Sequence, residues 1–116
     1  MVLASVLKMQ KKLNWQVYSD GNRNKVINEI QTVISTNDGY IINFNIFSDF
    51  ALCLSVEIEE NKIIYLHQAL KEILKISDIV IENISQESKE ECLIFINISF
   101  SMGKGALKIE IPEVPG

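Results

Sequence analysis

The sequence predicts an α+β fold, in which one antiparallel sheet carries two helices on one face and is extended by a C-terminal β-hairpin. Two amphipathic helical segments alternate with stretches of period-two hydrophobicity, in the order strand, helix, strand, strand, helix, strand. A length of 116 residues, 47% hydrophobic and 22% charged, suits one domain with its own core. We expect a helical extension at 1–12, a core at 13–84, and a hairpin and tail at 85–116.

The first strand is predicted from alternating apolar and polar residues, and the first helix from apolar residues at helical spacing. Leu13, Trp15 and Val17 alternate with polar residues, which predicts a strand. An apolar face then repeats at helical spacing and predicts a helix over 23–35. Gly39 suits a left-handed C-terminal cap for this helix.

Two alternating apolar strands, at 40–47 and 51–59, form the centre of the chain, and the other elements flank or complete this pair. Directly paired residues share a face, so Phe44 meets Leu54 only across a loop with an odd number of residues or next to a β-bulge. We therefore expect a three-residue loop at 48–50, or a bulge.

Three further strands and the second helix complete the prediction. The helix covers 62–75, and strands follow at 79–84, 92–100 and 107–111. The arrangement is the ferredoxin-like βαββαβ fold, with strand order 6-5-4-1-3-2 after the C-terminal hairpin is added. The strand at 92–100 is apolar on both faces, so both should be covered.

The alternation also separates a core from an open sheet face. The predicted core residues are Val17, Ile27, Ile30, Phe44, Leu54, Leu66, Leu70 and Ile96. Apolar side chains assigned to the open face are Tyr18, Ile41, Phe47, Cys53, Leu93 and Phe95. That is more apolar surface than a monomer normally exposes, so we expect a homodimer through this face. Residues before Leu13 would serve as a lid or as an interface.

Composition argues against several function classes. A net charge of −4 disfavours nucleic-acid binding. Cys53 and Cys92 lie far apart without metal-ligand spacing, and His67 is the one histidine, so we expect no metal, no cofactor and no catalytic residue. No apolar run reaches the length of a membrane span, and we expect a cytoplasmic protein that is not an enzyme.

The segments 15–21, 26–30 and 38–42, followed by the alternating hairpin, resemble the ACT domain, a small ligand-sensing regulatory module. The resemblance covers about residues 13–84. It implies a small-molecule effector such as an amino acid, bound at a subunit interface. The ligand-binding residues would be Asp20, Gly21, Asn22 and Asn24. Asn24 stands where the family has a glycine.

Two functions therefore remain open. One is a regulatory module that binds a small ligand through the helix N-terminus, which favours a carboxylate. The other is a ligand-free protein-interaction or dimerisation domain, in which the same four residues only cap the helix.

Overall fold

The computed structural model describes residues 10–101, and this part of the chain is an α+β fold, as predicted. Its elements are β1 (Lys12–Ser19), α1 (Arg23–Thr36), β2 (Tyr40–Ser48), β3 (Ala51–Glu59), α2 (Ile63–Lys71), β4 (Lys75–Ile76) and β5 (Glu91–Phe100). Short 3₁₀ turns lie at Glu60–Lys62 and Ile81–Asn83. The predicted strand at 107–111 and most of the predicted N-terminal helix fall outside the described residues.

The five strands within 10–101 form one mixed sheet in the order β2-β3-β5-β1-β4. β1 and β5 run parallel over their whole paired length, and the other neighbours are antiparallel. The predicted all-antiparallel sheet and its order 6-5-4-1-3-2 are therefore wrong. The ferredoxin-like arrangement, which places the first strand beside the third, is not confirmed, because β5 separates β1 from β3.

The central position of β5 explains its two apolar faces. Ile94, Ile96 and Ile98 are buried beneath the helices, while Leu93 and Phe95 on the other face are half-buried. A strand covered on both sides belongs in the interior of a sheet, where both edges also find partners. Since β3 and β1 occupy those edges, β5 offers no free edge to the predicted C-terminal hairpin.

The predicted fourth strand is also misplaced. The segment 79–84 contains the 3₁₀ turn Ile81–Asn83, and the strand that pairs with β1 is instead Lys75–Ile76. Helix α2 ends at Lys71 rather than at 75. Two hydrogen bonds attach the chain to β1 just after Lys75–Ile76. Ser77 donates its N–H to the carbonyl of Gln16 at 2.9 Å, and its Oγ accepts the N–H of Gln16 at 3.0 Å.

The β2–β3 hairpin has the predicted facing pair Phe44 and Leu54, and it reaches that pairing through bulges. Register shifts lie between Ile41 and Asn43 and between Ile46 and Ser48. The first shift places Ile41 opposite Val56 on the helix-covered face, so its assignment to the open face is wrong.

The core lies between the sheet and the two helices. The predicted core residues found buried are Val17, Ile27, Ile30, Leu54, Leu66, Leu70 and Ile96. Phe44 is the exception: its side chain is 37% exposed, although it shares a face with buried Leu54. Because β2 is the outermost strand, its side chains from Ile42 onward project beyond the covered part of the sheet.

The end of α1 also differs from the prediction. Asp38 has φ 65°, and this residue, rather than Gly39, adopts the left-handed conformation. A Cβ on Gly39 would lie 3.0 Å from Cγ2 of Ile34 and 3.3 Å from Cγ1 of Val56. Gly39 therefore leaves room for the end of α1 to pack closely against β3.

Candidate functional site

The four residues predicted to bind a ligand lie together in the turn from β1 to α1. Asn22 is the N-cap of α1, and its Oδ1 accepts the N–H of Lys25 at 3.0 Å. The N–H of Gly21 donates to Oγ of Ser19 at 3.0 Å. The interpretation of Asn22 as a helix cap is confirmed, and one first-turn donor is already occupied.

Asp20 and Asn24 are exposed in this turn. Asp20 lies at the side of a groove of about 260 Å³ between the β1–α1 turn and the end of α2. The groove carries both signs of charge, with Lys71 and Lys75 beside Asp20 and Glu72. Such a mixed lining gives no preference for an anion.

Arg23, the first residue of α1, is a functional candidate that the sequence reasoning missed. It is 7% exposed, its Nε has no hydrogen-bond partner, and its guanidinium Cζ lies 5.8 Å from the centre of the Phe100 ring. Within 10–101 no carboxylate pairs with it. The signal available in the sequence was its position between Asn22 and Asn24 in the suspected ligand loop.

His67 is a buried structural residue. Its Nε2–H donates to the carbonyl of Ser77 at 2.7 Å, and its ring meets Trp15 edge-on, with centroids 5.1 Å apart. It thereby fixes the chain after β4 against the core. The described residues contain no cluster of His, Cys, Asp and Glu arranged to hold a metal ion.

Both cysteines are free and buried. Burial raises the pKa of the Cys53 thiol and, as the largest of several causes, that of the Cys92 thiol. A raised pKa keeps a thiol protonated at neutral pH and therefore weakly nucleophilic.

The open sheet face is less apolar than predicted. Tyr18 is exposed, but Cys53 is buried, and Leu93 and Phe95 are half-buried. Between them lie polar residues, among them Asn97, whose Nδ2 donates to the carbonyl of Trp15 at 3.2 Å. This face therefore offers little apolar surface to a partner.

Exposed apolar side chains are concentrated at the outer edge of the sheet instead. We call this the β2 surface, and it consists of Tyr40, Ile42, Phe44, Ile46, Phe47 and Phe50, each between 37% and 69% exposed. The strand contains no charged residue. β2 pairs with β3 on one side, and within 10–101 no strand lies on its other side.

No helix in the described part of the chain is both long and apolar enough to cross a membrane. Comparisons with protein-family models, with curated proteins and with solved structures gave no match for this chain.

Proposed function

We propose that this chain is a non-catalytic protein-interaction domain that binds its partner through the β2 surface. The observation that carries the proposal is that five large apolar side chains are exposed on an outer strand that lacks any charge, with Phe50 exposed in the turn that follows the strand. Soluble proteins normally protect such an edge with lysine, proline, β-bulges or a covering segment, because an open edge pairs with other chains. β2 has two bulges, but it contains no lysine or proline, and its sequence between the bulges pairs regularly.

The size of the β2 surface supports binding. Side chains of this size bury about 150–250 Å² each, so the exposed fractions sum to roughly 600 Å². Covering that area is worth about 15 kcal/mol at about 25 cal/mol per Å², which is comparable with the upper cost of association. Hydrogen bonds from an added strand would supply the rest, as in other complexes in which a peptide extends a sheet.

A photo-crosslinking amino acid tests the surface without assuming a partner. With benzoyl-phenylalanine in place of Phe47, 68% exposed on the β2 surface, we expect protein adducts in cells that naturally make the chain. The matched control is the same replacement of Tyr65, which is 65% exposed on α2. Equal adduct yields from the two positions, or none from either, would refute the proposed surface.

A second candidate function, the binding of a small carboxylate such as an amino acid, is favoured by Arg23. A buried guanidinium without an anion is costly, and a ligand carboxylate at the start of α1 would pair with it. The helix N-terminus would add a favourable electrostatic contribution. In this proposal Asp20, Gly21, Asn22 and Asn24 surround the ligand, and the domain is regulatory.

A thermal-shift screen of amino acids and nucleotides tests this second function. A true ligand raises the melting temperature of the wild type but not of Arg23→Met, while Lys25→Met, two residues further along and exposed on α1, keeps the response. Methionine fills the buried space without a charge, so the variant itself should fold. A ligand response that survives Arg23→Met would exclude Arg23 as the binding group.

A further inference from the structure

The centre of β2 reads the same in both directions. Ile42, Asn43, Phe44, Asn45 and Ile46 form the palindrome I-N-F-N-I. Register between the two bulges is regular, and Asn43, Phe44 and Asn45 pair in turn with Ser55, Leu54 and Cys53 of β3. The regular part of the outer strand is therefore centred close to the midpoint of the palindrome.

We propose that β2 pairs antiparallel with β2 of a second copy of this chain, about a two-fold axis at Phe44. This inference rests on the proposed interaction function and names its partner. Within the regular part of the strand, the axis places Phe44 opposite Phe44 and Asn43 opposite Asn45, so like side chains face each other, and Ile42 at the bulge comes next to Ile46. Two five-stranded sheets then form one sheet of ten strands, which is within the range of known open sheets.

The chemistry of the β2 surface favours a second copy over an unlike protein. A two-fold interface uses the same patch twice, so it must be self-complementary. The strand has no charge that would repel its own copy or select an oppositely charged partner. The side-chain area exposed on the two copies, roughly 600 Å² each, is the most that the contact can bury, and it equals the lower limit of a stable interface, about 1,200 Å² in total.

In a single copy of the chain, one backbone N–H of β2 is hydrogen-bonded to a side chain of the same strand. The N–H of Phe44 donates to Oδ1 of Asn43 at 2.9 Å. In the dimer that N–H donates to a carbonyl of the second copy, and the Asn43 side chain turns to the amide of Asn45 across the axis. The two aromatic rings lie on the same face and pack together, as facing pairs in antiparallel sheets do.

Sedimentation equilibrium of the full chain tests the assembly. We expect a species of twice the 13.2 kDa chain mass at micromolar concentration. Phe44→Lys places two positive charges together at the axis, and self-association should weaken by at least about 100-fold. Tyr65→Lys, a change of the same kind on exposed α2, should leave the dimer intact.

A disulfide tests the register and does not depend on the lysine variant folding. Cα atoms of directly opposed residues lie about 5.5 Å apart, which suits a disulfide. Oxidised Phe44→Cys should therefore form a covalent dimer. Ile46→Cys should not, because it lies two residues from the axis and faces Ile42 of the second copy. Equal crosslinking of both variants would overturn the register.

Amide hydrogen exchange of 40–48 separates the remaining outcomes. Protection that grows with protein concentration supports the second copy. Protection that is independent of concentration in a monomer would mean that the edge is covered within a single chain, and it would overturn the inference. Photo-crosslinks from β2 to another protein only, with no self-association, would also overturn it, but would leave the proposed interaction function standing.

Discussion

Glu60 joins segments that are far apart in the sequence. Its Oε2 accepts from Nζ of Lys11 at 2.6 Å and from the N–H of Ser85 at 2.8 Å, and its own N–H donates to the carbonyl of Glu90 at 2.9 Å. Lys11 also donates to the carbonyl of Asn83. The hydrogen bond from Lys11, followed by that from Ser85, holds the pKa of the Glu60 carboxyl below its ordinary value. Nothing in the local pattern of the sequence indicates this connection, since the partners are 25 and 49 residues away.

Glu60→Gln should lower the free energy of unfolding by about 1–3 kcal/mol, because the neutral amide oxygen of glutamine accepts from Lys11 and Ser85 more weakly than the buried carboxylate does and leaves the charge of Lys11 unpaired. Urea denaturation at pH 7 measures the loss. Glu82→Gln, an exposed glutamate in the 3₁₀ turn, is the control and should change little. A loss as small as that of the control would mean that Glu60 does not hold these segments together.

The same carboxylate gives a pH dependence with a defined sign. Because folding lowers its pKa, its stabilisation is complete above the ordinary value of 4.5 and is lost as pH falls through the folded value. The stability difference between wild type and Glu60→Gln should therefore shrink below about pH 4.5. A difference that stays constant to pH 3 would contradict the assignment.

At the scale of elements, β2 shows what alternation can and cannot predict. Period-two hydrophobicity located the strand and its pairing of Phe44 with Leu54. It could not locate the bulge at Ile42, which reverses the face of Ile41, because one extra residue costs little and leaves no compositional mark. The predicted strand order already placed β2 at an edge of the sheet, as the structure does, but alternation could not show that the side chains from Ile42 onward would lie outside the covered part of the sheet, which is why Phe44 is exposed.

The junction between α1 and β2 gives a prediction of its own. Gly39→Ala should destabilise the fold by about 1–3 kcal/mol, since the added methyl group would press on Ile34 and Val56. Asp38→Gly is the matched control. It relieves the left-handed backbone at Asp38 and loses an exposed ion pair with Lys62, so the two effects nearly cancel. Thermal unfolding of both variants measures the contrast, and a neutral Gly39→Ala would show that the helix end can move away from β3.

At the scale of the whole molecule, the sequence determined the fold class but not the sheet order. Both helices and all four long strands, β5 included, were located from their own periodicity, which is a local property. The order of strands depends on which strands pair with each other. β5 is central because it pairs with β3 and with β1, which are both distant from it in the sequence. Its two apolar faces were the available signal for that position. The turn that contains Asp20, Gly21, Asn22 and Asn24 is local and could be placed from the sequence, whereas Arg23 contacts Phe100, which lies at the far end of β5 and 77 residues away in the sequence.

The central position of β5 predicts that its side chains and its amides contribute strongly to global stability. Ile96 is fully buried, with Leu54 on one side and Trp15 on the other. Ile96→Ala should cost about 2–5 kcal/mol in global unfolding, and Ile73→Ala, the same deletion at an exposed position after α2, should cost under about 1 kcal/mol. In the wild type, the amides of β5 should exchange most slowly, because β5 is paired with β1 on one edge and with β3 on the other. The amides of the two-residue β4 should exchange fast. If β1 instead paired directly with β3, β5 would lie nearer the edge of the sheet and its amides would exchange before those of β3.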